Sequence, residues 1–293
     1  MKNKLFKSTS ILIISAAVLI TSCDNDDRIT AQDTQDIAEE AVTDSYFQDM
    51  DDMAGVAVET PAEEDFNGGR TKNDFTFKIR DNRFVCSGDS IVATFERFND
   101  SSPDVPKGKI TVDFGTGCTD LRGNTRKGKV IFTFSGKRFT PGSTLVITGE
   151  NYEINGVKLS GMRTLTNVQD NVNSAPRYNS VLTNGLAVFD DNSEATRESD
   201  ITFEWIRAAN PLDDMLIIEQ SSTASGTTRR GRNYEMSLLE ELHYKRFCGI
   251  AVDGIKRFVI DEAKEITIDY GDGNCDRTVT ITVNGVTRNL NVD

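Results

Sequence analysis

The chain is expected to be a mainly β protein, built of antiparallel sheets with an internal duplication. Three observations predict this. The stretch Ile110-Thr-Val-Asp-Phe-Gly-Thr-Gly-Cys118 recurs as Ile266-Thr-Ile-Asp-Tyr-Gly-Asp-Gly-Asn-Cys275, and the next apolar run recurs too, Val130 to Gly136 against Val279 to Gly285. Apolar and polar residues alternate with a period of two in Phe75-Thr-Phe77-Lys-Ile79, Val130-Ile-Phe132-Thr-Phe134 and Ile201-Thr-Phe203-Glu-Trp205, the mark of strands with one buried face. Asn155-Gly156 and Asn284-Gly285 sit between such runs and are strong hairpin turns.

The first element, residues 1–22, reads as a targeting segment. Lys2, Lys4 and Lys7 precede an apolar core from Ile11 to Ile20 that is too short to span a bilayer. It ends in Ile20-Thr-Ser-Cys23, which resembles the lipobox of bacterial lipoproteins. The resemblance implies cleavage before Cys23 and acylation there by diacylglycerol and a fatty acid such as palmitate, enough chains for stable anchoring. Asp24-Asn-Asp-Asp27 resembles the acidic export tag of Bacteroidetes surface lipoproteins. In other bacteria an Asp after the lipidated cysteine resembles an inner-membrane retention signal; surface exposure on the outer membrane is the favoured reading.

Residues 23–72 read as an acidic tether. The whole chain carries −13, the first segment +3, and residues 24–65 hold fifteen Asp/Glu against Arg28, leaving residues 66–293 at −2. The acidity therefore belongs to the tether, which on this reading repels phosphate headgroups and holds the body off the membrane. A nearly neutral body lacks the basic balance of a nucleic-acid binder. Within 29–58, Ile37, Ala41, Phe47, Met50 and Ala54 fall at helical spacings, with Asp44, Asp49, Asp51 and Asp52 assigned to the other faces. Two readings stay open, an amphipathic helix docked on the body and a solvated linker, with the helix favoured. Pro61 to Gly69 ends it.

Residues 73–293 form the β-rich body, expected as two related sub-units of about 73–175 and 176–293 in one continuous sheet system. Asp190-Asp-Asn192 marks another hairpin, and only a weak Leu238-Leu239-Leu242 cluster has a helical look. Beyond Cys23, four cysteines remain. An exported chain with an even set reads as disulfides, and no Cys-x-x-Cys supports zinc. Each repeat carries its own two, so the duplication selects Cys86–Cys118 and Cys248–Cys275 from the three pairings.

Enzyme chemistry finds little footing. His243 is the one histidine, without a nucleophile elbow or partners for zinc. Asp113-Phe-Gly115 lacks the companions of a kinase metal triplet. Asp269, Asp272 and Asp276 do not fit a calcium loop and read as turn builders before a disulfide. No metal and no cofactor is expected. One further repeat is a binding candidate: Arg126, Lys127 and Lys129 in Gly123–Lys129 match Arg229, Arg230 and Arg232 in Gly226–Arg232. Arginine forks suit carboxylates, phosphates and sulfates, so an anionic envelope polymer or glycan is one partner class. The competing and preferred reading is that these cations stay wet or pair with the acidic tether.

The repeated strand-and-cysteine motifs, Thr125-Arg-Lys-Gly-Lys-Val130 and Tyr270-Gly-Asp-Gly-Asn-Cys275-Asp276 resemble those of uncharacterised β-rich lipoproteins of Bacteroidetes, over most of residues 73–293. The resemblance implies export and a β-rich body and brings no activity with it. The expected function is a lipid-anchored cell-envelope protein with a non-enzymatic binding or structural role, engaging the membrane through its anchor and a polymer, glycan or envelope protein through its body. The alternatives are a lipid-carrier-like half-barrel, which needs an apolar concave face, and a glycan hydrolase, which needs paired carboxylates in a pocket.

Overall fold

The alternating runs are strands in the computed structural model of the chain, which describes residues 30–59, 74–79, 84, 86, 91–209, 214–245, 248, 250–276 and 278–291. Cys23 and the targeting segment lie outside the described residues. One helix, α1 (Ala31–Glu59), precedes the sheet. The first strands are β1 (Asp74–Ile79), β2 (Ile91–Arg97), β3 (Lys107–Asp113), β4 (Cys118–Thr119), β5 (Thr125–Ser135), β6 (Thr144–Ile154), β7 (Val157–Asn167), β8 (Arg177–Val188) and β9 (Glu194–Ile206). Then come β10 (Met215–Ile218), β11 (Thr223–Thr227), β12 (Asn233–Leu238), β13 (Leu242–Lys245), β14 (Asp253–Ile260), β15 (Lys264–Asp272), β16 (Thr278–Val283) and β17 (Val286–Asn291).

All of them join one antiparallel meander. β1 to β9 pair in chain order, with β4 beside the start of β5. β10 and β11 lie end to end along β9, and β12 and β13 along them in turn. β14 to β17 complete the sheet. The Leu238–Leu242 stretch is not helix but the bend between the end of β12 and the start of β13, with Leu238 and Leu242 buried and Leu239 exposed. Asn155-Gly156 and Asn284-Gly285 turn with both residues at positive φ, as the sharpest hairpins require.

The duplication is visible atom by atom. The Asp113 carboxylate accepts a 2.8 Å hydrogen bond from the Gly115 amide, and Asp269 accepts one of 2.8 Å from Gly271. Both disulfides form as the repeat predicts, with Cα–Cα distances of 5.2 Å for Cys86–Cys118 and 5.3 Å for Cys248–Cys275. Closing loops of this size stabilises by about 3–4 kcal/mol each. Yet the copies are not paired identically. Val112 faces Val130, whereas its counterpart Ile268 faces Ile281 and not Val279. The slide is two residues, the smallest that keeps the same side chains on the buried face.

That face holds two apolar cores. The first gathers Ile110, Val112, Val130 and Phe132 with Ile147 and the helix residues Phe47, Met50 and Met53. The second gathers Ile266, Ile268, Val279 and Ile281 with Tyr234 and Phe258. Leu182 and Ala187 of β8 belong to the first, so the core boundary falls about one strand beyond residue 175.

Helix α1 crosses this covered face. It touches β5 at one end and β15 at the other, eight strand spacings or about 38 Å along the sheet. The helical residues making those contacts, Asp49 and Asp33, are sixteen apart, about 24 Å. The reach of the Arg126 and Lys264 side chains makes up part of the difference.

Candidate functional site: a basic trough closed by an acidic helix

α1 begins with a reciprocal cap. The Asp33 amide donates to the Thr30 hydroxyl at 3.2 Å, and the Thr30 amide donates to the Asp33 carboxylate at 2.8 Å. From there Asp33, Asp36, Glu40, Phe47, Met50, Met53 and Ala54 all face inward and are buried. Ala41 is exposed, contrary to the apolar stripe expected for it. The periodicity assigns Asp44, Asp49, Asp51 and Asp52 to the other faces, yet Asp49 and Asp44 reach Arg126 and Arg197, and the first half of the inward stripe is itself acidic because the sheet opposite is basic.

Three clasps hold the helix. Near its start, Asp33 pairs with Lys264 and, at 3.2 Å, with Arg232. Asp36, with a fully covered side chain, lies 2.9 Å from Arg232 and 3.3 Å from Arg230, which also reaches Glu39 at 3.3 Å. In the middle, the buried Arg197 of β9 pairs with Glu40, with Asp44 at 3.0 Å and with the Tyr234 hydroxyl at 3.3 Å. Further on, Arg126 of β5 forks onto Asp49 at 2.6 and 2.9 Å and meets Asp120 at 2.6 Å. Tyr152 donates to Asp49 at 3.1 Å, and Phe84 stacks 5.2 Å from the Arg126 guanidinium.

Buried charges would be costly alone, so each sits with its opposite. Burial pushes the Asp33 carboxyl up, but Lys264, Thr30 and Arg232 outweigh it and bring it to about 2. Desolvation likewise raises Asp44 and Asp120, and Arg197 and Arg126 hold them below the usual carboxylate range. Tyr234 is pushed up to about 12 by burial, against the pull of Arg197. Carboxyls with depressed pKa values stabilise the fold above about pH 4 and lose that contribution as pH falls through their folded values. The clasps are therefore expected to loosen between about pH 4 and pH 2. Circular dichroism at 222 nm through an acid titration measures this, and a helical signal unchanged down to pH 2 contradicts a carboxylate latch.

The two repeated basic segments thus land at the same end of the sheet, but their cations divide. Arg126, Arg230 and Arg232 hold the helix. Lys127 pairs with Glu153 at 2.8 Å, Lys129 lies 3.6 Å from Glu150, and Arg229 meets Asp191 at 2.8 Å above the Phe189 ring. Every one of the six has a carboxylate within 4 Å, and Lys127, Lys129 and Arg229 remain partly exposed beside theirs. His243 lies 3.2 Å from Asp253 on the neighbouring strand. Asp269, Asp272 and Asp276 accept hydrogen bonds from Gly271, Asn274 and Thr278 and build the turn before Cys275 and the start of β16.

Sequence reasoning missed Arg197, Tyr234 and Lys264. Arg197 alternates with the buried Ala195 and Ser199 on the covered side of β9, a basic residue at an inward position. The capping pair Thr30…Asp33 was also readable as the start of α1. Elsewhere, an open groove of about 490 Å³ crosses β8, β9, β11, β12 and β14 and carries Glu198, Asp200 and Glu235. Glu198 is already engaged there, accepting the Asn184 amide at 2.7 Å.

No protein-family model, curated protein or solved structure matches the chain.

Proposed function

We propose that this is a lipid-anchored protein of the bacterial outer membrane, surface-facing, with a non-enzymatic binding or structural role and no cofactor, akin to the β-rich lipoproteins of Bacteroidetes. The observation that carries this reading is the placement of α1. Of the two readings of the acidic segment, the docked helix is the one seen: α1 starts at Ala31 and is clasped from Asp33 to Asp49. Only residues 24–30 separate the proposed lipid at Cys23 from the helix, a reach of at most about 25 Å. The body is then held close to the membrane, with the turns 228–232 and 261–263 nearest the anchor, and the helix links anchor to sheet. On this reading the body sits nearer the membrane than it would on a free acidic spacer.

Cys23→Ala should move the protein from the outer-membrane fraction to the soluble fraction and abolish palmitate labelling. Labelling that persists in the variant refutes the assignment.

A lipid-carrier-like role has one observation in its favour. The second half of α1 lays Phe47 and Met50 over Ile147 and Leu182, so part of the covered face is apolar, and a helix closes it with only a cavity of about 10 Å³ beneath. Solvent extraction of the purified protein followed by lipid mass spectrometry tests that role: a stoichiometric lipid supports it, and its absence counts against it.

A further inference from the structure

We propose that the trough under α1 is a docking site for an acidic amphipathic helix of a partner envelope protein, and that α1 is its resident, displaceable occupant. The inference rests on the binding role proposed above and names the partner and its control.

The trough is patterned along its length. Counting from Asp33, carboxylates meet cations at positions 0, +3, +7, +11 and +16, and apolar side chains fill it at +14, +17, +20 and +21. From 0 to +14 the steps are three and four, the repeat of one helical face; Asp49 at +16 falls off that face and reaches Arg126 from the side. A linear anionic glycan could satisfy the cations but would leave the apolar stretch at Ile147 and Leu182 open to water. A helix with acids first and apolar residues after satisfies both halves.

Two features make α1 an occupant that can be exchanged. Its charged half supplies register more than net stability, because buried ion pairs return little beyond their desolvation cost. It also fills the trough imperfectly: the Arg197 Nε–H in the middle clasp, and the buried Ser199 hydroxyl two residues along β9, have no hydrogen-bond partner among the described residues. Glu39 is left with an equally unpartnered buried oxygen. A partner helix that reaches those two donors would be better matched to the trough than α1. The fourteen residues 60–73 join α1 to β1, so a displaced helix stays tethered at high effective concentration and competes for return. Binding by the partner is thereby held weak until its local concentration is high.

The test uses full-length protein in detergent and a fluorescein-labelled synthetic peptide of residues 30–59 as probe. Weakening the resident with Asp36→Asn and Glu40→Gln should tighten probe binding at least about tenfold over the unaltered chain. Adding Arg197→Gln and Arg232→Gln on the trough should abolish it. A second measurement covers a variant that fails to fold. With unaltered protein and an isotope-labelled probe in large excess, carbodiimide coupling should join Lys264 to the probe's aspartate corresponding to Asp33. The proposal is overturned if neither measurement detects the probe in the trough, or if the trough substitutions leave its binding unchanged. It is also overturned if polygalacturonate displaces the probe as well as unlabelled peptide does at equal charge, since the trough would then read charge alone. Membrane release of Cys23→Ala is scored separately, so failure of the anchoring reading and failure of this one are distinguishable.

Discussion

Arg197→Met is expected to destabilise the protein by about 3–5 kcal/mol, the usual cost of stripping one partner from a buried ion pair. Arg197 is 3% exposed and answers Glu40, Asp44 and Tyr234 together. Methionine fills most of its volume but leaves Glu40, itself almost fully covered, as an anion opposite an apolar wall. The penalty should depend on pH in a defined direction. Stripped of the guanidinium, the covered Glu40 carboxylate is costly as an anion, so acidification from pH 7 toward 5 should relieve the loss and not deepen it. Adding Glu40→Gln removes the stranded charge and should recover at least half of the loss at pH 7. Urea unfolding at pH 7 and pH 5 measures both effects. A loss below about 1 kcal/mol, or a loss that grows on acidification, would show that the clasp is not a buried charge pair.

How far the fold was legible depends on which signals were local. Strand alternation, the Asn-Gly turns and the cysteine pairing are short-range or repeat-borne, and each survives in the structure. The two-residue slide between the copies was not legible, because it changes no side chain's face and so leaves no trace in the pattern of apolar residues. The inward acids of α1 were hidden for a different reason. Helical periodicity is normally read from apolar residues, and Asp33, Asp36 and Glu40 count as solvent-facing until a basic surface is known to lie opposite. The basic surface itself was half visible. Arg126, Arg230 and Arg232 stood out through their repeated segments, and the preferred reading left open whether they stay wet or pair with the acidic segment. Arg197, in the unrepeated β9, had only its inward parity to mark it.

The stabilising and specifying parts of the α1 interface are separable. Burying Phe47, Met50 and Met53 contributes about 1.5–3 kcal/mol each. The ion pairs add little net stability but fix which turn of the helix meets which strand, since a shift of one residue would rotate Asp36 and Glu40 by about 100° away from their cations. This division explains how a helix rich in acids docks on a nearly neutral body: the cations are concentrated where the helix lies.

Arg126→Leu tests the clasp at the other end and should likewise cost about 3–5 kcal/mol, or roughly 6–20 °C in Tm for a body of this size. Its guanidinium satisfies two carboxylates at once, one from the helix and one from the turn before β5. The two sides should respond differently. Asp120 keeps the amides of Arg122 and Asn124 at 2.8 and 2.9 Å, so its turn should persist. Among the described residues Asp49 keeps only the Tyr152 hydroxyl, so the helix side should let go, carrying Phe47 and Met50 away from Ile147. Hydrogen exchange is therefore expected to rise along the second half of α1 and not in β5 or β6. Arg126→Lys should recover only a fraction of the loss, because a point ammonium cannot reproduce the fork onto Asp49 while also reaching Asp120. Uniform acceleration across helix and sheet would instead mean that the helix is an inseparable part of the core. Protection equal to the unaltered protein would mean that Arg126 is not what fastens this end of α1.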